Sequence, residues 1–142
     1  MEEFVFLDDI ATADVAIEAR GDTLEELFRA SAMATFEVMV DTKGVQPRIK
    51  KELHLENSEI DKLLFDWLAE IIYLKDSEYM VFTKFDIKIE GNSNYLLNAK
   101  IFGEEIDQSR HKLRCDVKAV TYHLFDVSKK EGRWISRFIL DI

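Results

Sequence analysis

Little in this sequence could staple, break or bend the chain. A single cysteine, Cys115, excludes an internal disulfide and a cysteine-built zinc site, and suits a reducing compartment. One proline, Pro47, and 5 glycines leave no flexible or low-complexity linker, so the 142 residues read as one domain, 1–142. No apolar run approaches the roughly 18 residues that a membrane span requires. The opening MEEFVFLDDI is acidic where an export signal would be basic, so a cytoplasmic location is expected. Positive charge is also scarce: 19 Lys and Arg face 28 Asp and Glu, for a net charge of −9. A field of that sign repels nucleic acid, so strong direct RNA or DNA binding is not expected, whereas a basic protein surface or a cation is favoured. The 3 histidines, His54, His111 and His123, show no HExxH or related spacing, and GxGxxG, P-loop and GxSxG motifs are absent.

What the sequence does contain is clear periodicity. With 47% hydrophobic and 33% charged residues it has the composition of an ordinary globular domain. Alternation predicts strands at Phe4–Leu7 and Ala13–Arg20. A helix opens at GDTLEELF, where Thr23 can cap free amides and Glu26 completes a capping box. Leu24, Leu27, Phe28, Ala32, Phe36 and Met39 form its buried stripe. DTKGVQP reads as a turn, and RIKKELHLE as an edge or half-exposed strand. A second helix is expected from Ser58, with Asp61 as its reciprocal acid and Ile60, Leu63, Leu64, Trp67, Leu68, Ile71 and Ile72 facing inward. YMVFTKFDIKIEG, YLLNAKIFGE, LRCDVKAVTYHLFDV and RWISRFILDI read as long strands. The expected fold is α+β: a single layered domain with two helices packed on a mixed or mostly antiparallel sheet of about six or seven strands.

The last strand raises a chemical question. RWISRFILDI alternates to its final residue and sets Asp141 beside the terminal carboxylate of Ile142. Adjacent negative charges on an apolar strand repel each other and are costly to desolvate. Asp14, taken alone, reads as a solvated acid where a strand begins. Together, Asp14, Asp141 and the Ile142 carboxylate would form an all-oxygen anionic set of the kind that Ca²⁺ or Mg²⁺ prefers. Spacing leaves open whether the two ends meet. Lys118, in VKAVTYHLF, falls by alternation on one strand face with Val120, Tyr122 and Leu124, and its plain reading is a snorkelling surface lysine. His123 reads as a hydrogen-bonded structural residue. Asp8 with Asp9, and the EEID run of Glu104–Asp107, fit loop solvation better than carboxylate dyads. The aromatic residues fall on buried stripes and read as core rather than as a base-stacking platform. The residues by themselves support a cytosolic α+β domain, a cation binder that acts on another protein.

Three longer stretches carry more: TADVAIEARGDTLEELFRASAMATFEVMVD, LLFDWLAEIIYLKDSEYMVFTKFDIKI and VKAVTYHLFDVSKKEGRWISRFILDI. Together they resemble the archease family across nearly the whole chain. The TAD, W-L-x-E-x-[IL], K-A-x-T-Y-H and terminal I-[LF]-D-[IV] motifs occur in the family's order. The resemblance implies a non-enzymatic protein cofactor of the RtcB-type tRNA-splicing RNA ligase, promoting GTP-dependent guanylylation and multiple turnover. It also implies a divalent-metal site at Asp14, Asp141 and the carboxylate of Ile142, with Ca²⁺ the expected occupant in a crystal and Mg²⁺ or Mn²⁺ candidates in the cell. Lys118 matches a lysine linked to ligase activation. The family often reads H-T-A-D where this chain has Ala11-Thr12-Ala13-Asp14, so it lacks that histidine, and affinity for softer metals should be lower. Alternative functions are a stand-alone metal-dependent phosphate hydrolase and a general chaperone-like modulatory protein.

Overall fold

The computed structural model describes residues 2–7 and 14–142. Asp8, Asp9, Ala11 and the expected strand start at Ala13 lie outside the described residues. Elements run β1 (Glu3–Leu7), β2 (Asp14–Gly21), α1 (Leu24–Met39), β3 (Ile49–Asn57), α2 (Ile60–Glu78), β4 (Met80–Glu90), β5 (Tyr95–Glu105), β6 (Ala119–Lys130) and β7 (Arg133–Asp141), with a 3-10 turn at Thr42–Gly44. The α+β expectation holds, and the pairing is antiparallel throughout. The strands form two sheets rather than the single one expected: β1-β2-β7-β6 and β3-β5-β4.

The reason lies in α1. Leu27, Phe28, Ala30, Ala32, Ala34, Phe36 and Val38 are all buried, and these positions go around the helix rather than along one stripe. Beyond the first turn only Arg29, Met33 and Glu37 are left half-buried, so the helix needs cover on more than one side. It packs on β2 and β7 of one sheet and on β4 of the other, while α2 lies against β6 and against β3. The helices are therefore a middle layer, with a sheet on each flank. Fully buried Trp67 of α2 donates its indole N–H to the Phe28 carbonyl of α1 at 3.1 Å. Each fully buried aliphatic or Phe side chain of this layer contributes about 1.5–3 kcal/mol.

Local chemistry fixes the ends of the elements. Thr23 caps α1 by accepting from the Glu26 amide, and Glu26 reaches back to the Asp22 amide. Ser58 does not cap α2. The N-cap is Glu59 without a side-chain cap bond, and Asn57 instead accepts from the Glu59 amide. Asp61 still lies in the first turn, where a negative charge suits the helix dipole. β3 is an edge strand as expected. The strand expected from Leu113 begins only at Ala119, because the preceding amides serve another purpose. Those of Arg114 and Cys115 donate to the Met39 and Val38 carbonyls, satisfying the end of α1. Among the described residues no helix is long and apolar enough to cross a membrane.

Candidate functional site

Asp14 is the first residue of β2 and Asp141 the last of β7, and the register sets them directly opposite each other. Directly paired residues share a sheet face with Cβ atoms about 4.5–5.5 Å apart. On its other side Asp141 faces Ala119 of β6, which presents only a methyl group. The row therefore reads Asp14, Asp141, Ala119, with both acids half-buried.

Glu18 lies two rows away on the same face, and the contrast is informative. Its buried carboxylate accepts from Arg137 Nε at 2.7 Å and from Arg20 Nε at 2.9 Å. Burial pushes its carboxyl up, but the hydrogen bonds and charges of Arg20 and Arg137 outweigh this and hold it below the ordinary value. Asp14 and Asp141 have no such partner among the described residues. Among the described residues no lysine, arginine or histidine forms an ion pair with either, although like charges opposite one another on paired strands destabilise a sheet. The sheet neutralises Glu18 from within, and among the described residues it does not do so for the other two acids. Their oxygen-only donor set fits a hard divalent ion. Among the described residues no third His, Cys, Asp or Glu completes a ligand cluster, so the Ile142 carboxylate is the adjacent candidate. The Ile142 side chain packs against the core, which anchors the segment beside Asp141.

Lys118 is brought to the same place. It lies one residue before β6, not inside it, and its backbone amide donates to the Asp141 carbonyl at 2.7 Å. Its side chain is exposed and forms no ion pair with any described residue. The expected shared face with Val120, Tyr122 and Leu124 does not persist along the strand. The register shifts between Thr121 and Asp126, and Leu124 has a φ of 55°.

Sequence reasoning missed Lys75, which holds this corner in place. It is buried at 5% exposure in the last turn of α2 and donates to Asp76 (2.6 Å), Asp116 (2.7 Å) and the Val117 carbonyl (2.8 Å). A signal was present: Lys75 continues the apolar stripe through Leu64, Leu68 and Ile71 at helical spacing. Lys75 thus fixes the backbone one residue before Lys118.

The remaining candidates take structural roles. Glu104 is not a loop acid. It is buried, pairs with Arg110, accepts from the Gln46 amide at 2.7 Å and meets His111 Nε2 at 2.9 Å. Burial pushes its carboxyl up, but Arg110, the Gln46 amide and His111 together bring it down to about 2. His111 Nδ1 accepts from the Asp107 amide, so the ring proton sits on Nε2 and is donated to Glu104. Asp107 itself closes a turn by accepting from Ser109. The buried structural histidine is therefore His111, while His123, expected in that role, is exposed. Tyr122 also departs from the core expectation, at 71% exposure.

Comparison with known proteins agrees with this architecture. The profile of the Archease protein family (MTH1598/TM1083) matches residues 4–142. The chain is 38% identical over 142 residues to the protein archease of Sulfolobus acidocaldarius, covering 100% of both. It is 38% identical over 133 residues to that of Pyrococcus furiosus, covering 92% of this chain and 94% of the relative. The solution structure of Methanobacterium thermoautotrophicum protein 1598 superposes with a TM-score of 0.86 at 37% identity, covering 98% of each chain. A Thermotoga maritima crystal structure, described as an archease and possible chaperone, superposes at 0.64 with 22% identity over 93% of each chain, and so shows the shared fold. On these grounds the chain belongs to the archease family.

Proposed function

We propose that this protein is a non-enzymatic activator of an RtcB-type tRNA-splicing RNA ligase, promoting the ligase's guanylylation and its repeated turnover. Family membership supports the reading, and one observation carries it: the cross-strand pair Asp14–Asp141, without an ion-pair partner among the described residues, with the Lys118 backbone bonded to Asp141. A divalent cation there would be held by Asp14, Asp141 and the Ile142 carboxylate, and would supply positive charge able to accept phosphate oxygens. The remaining work belongs to the chain's own groups. Asp141 orients its carboxylate from the end of a central strand, Lys118 offers an exposed ammonium beside it, and Lys75 keeps that lysine's backbone in register.

The stand-alone hydrolase reading lacks support, because among the described residues no group of three or more His, Cys, Asp or Glu side chains gathers to hold a catalytic metal. The chaperone description belongs to the Thermotoga protein; aggregation assays on this chain would test it separately. The deciding experiment measures guanylylation of the cognate ligase with GTP and metal, with and without this protein. Acceleration is expected, together with its loss in Asp14→Ala and Lys118→Ala proteins that remain folded. An unchanged rate with wild-type protein would end the reading.

A further inference from the structure

The seam between α2 and β6 has features that the cation site does not account for. Tyr122 of β6 lies flat on Phe65 of α2, with ring centroids 3.8 Å apart and planes 6° from parallel. Phe125 meets the same ring edge-on at 5.4 Å. This aromatic stack is not sealed inside: Tyr122 is 71% exposed, Leu124 57%, and Tyr73 of α2 61%. Phe65, Ala69 and Tyr73 follow at four-residue spacing along the open side of the helix. β6 is an edge strand of its sheet, and its ladder with β7 is interrupted between Thr121 and Asp126. Leu124, in that interruption, adopts a left-handed φ of 55° that a leucine rarely accepts. An exposed tyrosine on a rigid aromatic base is the kind of anchor around which protein interfaces are built.

We propose that this seam is the surface on which the ligase docks, through a basic patch that carries an apolar side chain for the Tyr122–Leu124 notch. The partner's chemistry follows from the charge around the notch. Asp61, Asp66 and Glu70 of α2 lie beside the seam, Lys62 is paired with Glu59, and the single Lys75 is shared by Asp76 and Asp116, so the rim is net acidic. Such a rim disfavours single-stranded RNA, the other natural ligand of an exposed aromatic ring, and selects a cationic protein surface. Position supports the same occupant. Tyr122 is four residues along the chain from Lys118, roughly 13 Å at about 3.3 Å per residue. The acid row lies on the Ala119 face of β6 and Tyr122 on the helix side, so a docked protein covering about 800 Å² reaches both around the free edge of β6. The inference rests on the proposed function, because it identifies the partner as the ligase, and it separates binding residues from activating ones.

The test uses the full chain and purified ligase, with affinity measured by calorimetry and guanylylation measured at saturating protein. Tyr122→Ala should weaken binding about tenfold, and Tyr122→Glu by less, because its charge is opposite to the partner's, while both recover wild-type stimulation at saturation. Asp14→Ala should give the reverse, near-wild-type affinity without stimulation. Tyr122→Arg, which places like charge against a basic patch, should bind more weakly than Tyr122→Ala. Equal affinity of wild type and all three Tyr122 variants would overturn the docking surface while leaving the activator reading intact. No binding by wild type would overturn both. A wild-type dimer dissociated by Tyr122→Ala, or RNA binding abolished by it, would reassign the seam to self-association or RNA and overturn the inference.

Discussion

Lys75 donates to the backbone carbonyl of Val117 at 2.8 Å, from a position almost wholly shielded from water. Through that bond the last turn of α2 determines where Lys118 begins. Replacing Lys75 by methionine keeps most of the stem's packing and removes the charge. Asp76 and Asp116 are more than half exposed and stay hydrated, so the loss is chiefly the hydrogen bond to Val117. We expect about 1–3 kcal/mol of destabilisation, read from denaturant midpoints. Ligase stimulation should fall further than stability alone explains, with wild-type affinity for the ligase retained. Full stimulation by a folded Lys75→Met protein would remove Lys75 from the positioning role.

The Asp14–Asp141 pair makes opposite predictions with and without metal. In metal-free buffer, Asp14→Asn relieves a cross-strand repulsion and should stabilise the protein by about 0.2–1 kcal/mol. In millimolar Ca²⁺ or Mg²⁺ the wild type should gain melting temperature by binding the ion in its native state, and the variant should not. A wild-type melting curve indifferent to both ions would show that the pair is not a cation site.

Acid should expose the contribution of Glu104. Folding lowers its carboxyl from 4.5 to about 2. The unfolded chain therefore takes up the proton first as pH falls. The stabilisation is present in full above the unfolded value and is lost progressively between about pH 4.5 and about 2. Melting temperatures of wild type and Glu104→Gln should differ most near neutral pH and converge in that window. A constant gap down to pH 2 would contradict the assignment.

A C-terminal extension converts the Ile142 carboxylate into an amide and adds bulk beside Asp141. The fold should survive, because the Ile142 side chain still packs on the core. Stimulation and the metal-dependent rise in melting temperature should both decline, whereas an equal extension placed before Glu2 should cost less. Matching activity from the two extended proteins would make the free carboxylate dispensable.

Much of the fold was legible because local signals act over a few residues. Thr23 and Glu26 announced the start of α1, and the apolar stripe of α2 announced its buried face. Boundaries failed where a distant partner decides them: the amides of Arg114 and Cys115 go to α1 instead of a strand, which no window around Leu113 can reveal. The division into two sheets was hidden for a similar reason, since the all-round burial of α1 depends on what covers its second side. Of the site, Asp14, Asp141 and Lys118 came from family motifs, and their juxtaposition is a matter of register. Lys75 and the Glu104–His111 pair escaped notice because their partners lie 41 and 7 residues away. Tyr122 was misjudged because alternation assumes an unbroken ladder.

The place of β7 has a consequence for how the protein is made. It lies between β2 and β6, yet it follows both in the chain. Until its nine residues are available, β2 and β6 have no common neighbour, and the side of α1 that Ser136 and Phe138 cover stands open. A chain cut short before Arg133 therefore loses the middle of a sheet together with half of the acid pair. Folding and the candidate site are joined in one strand: an interrupted translation product is left unstable and also lacks Asp141.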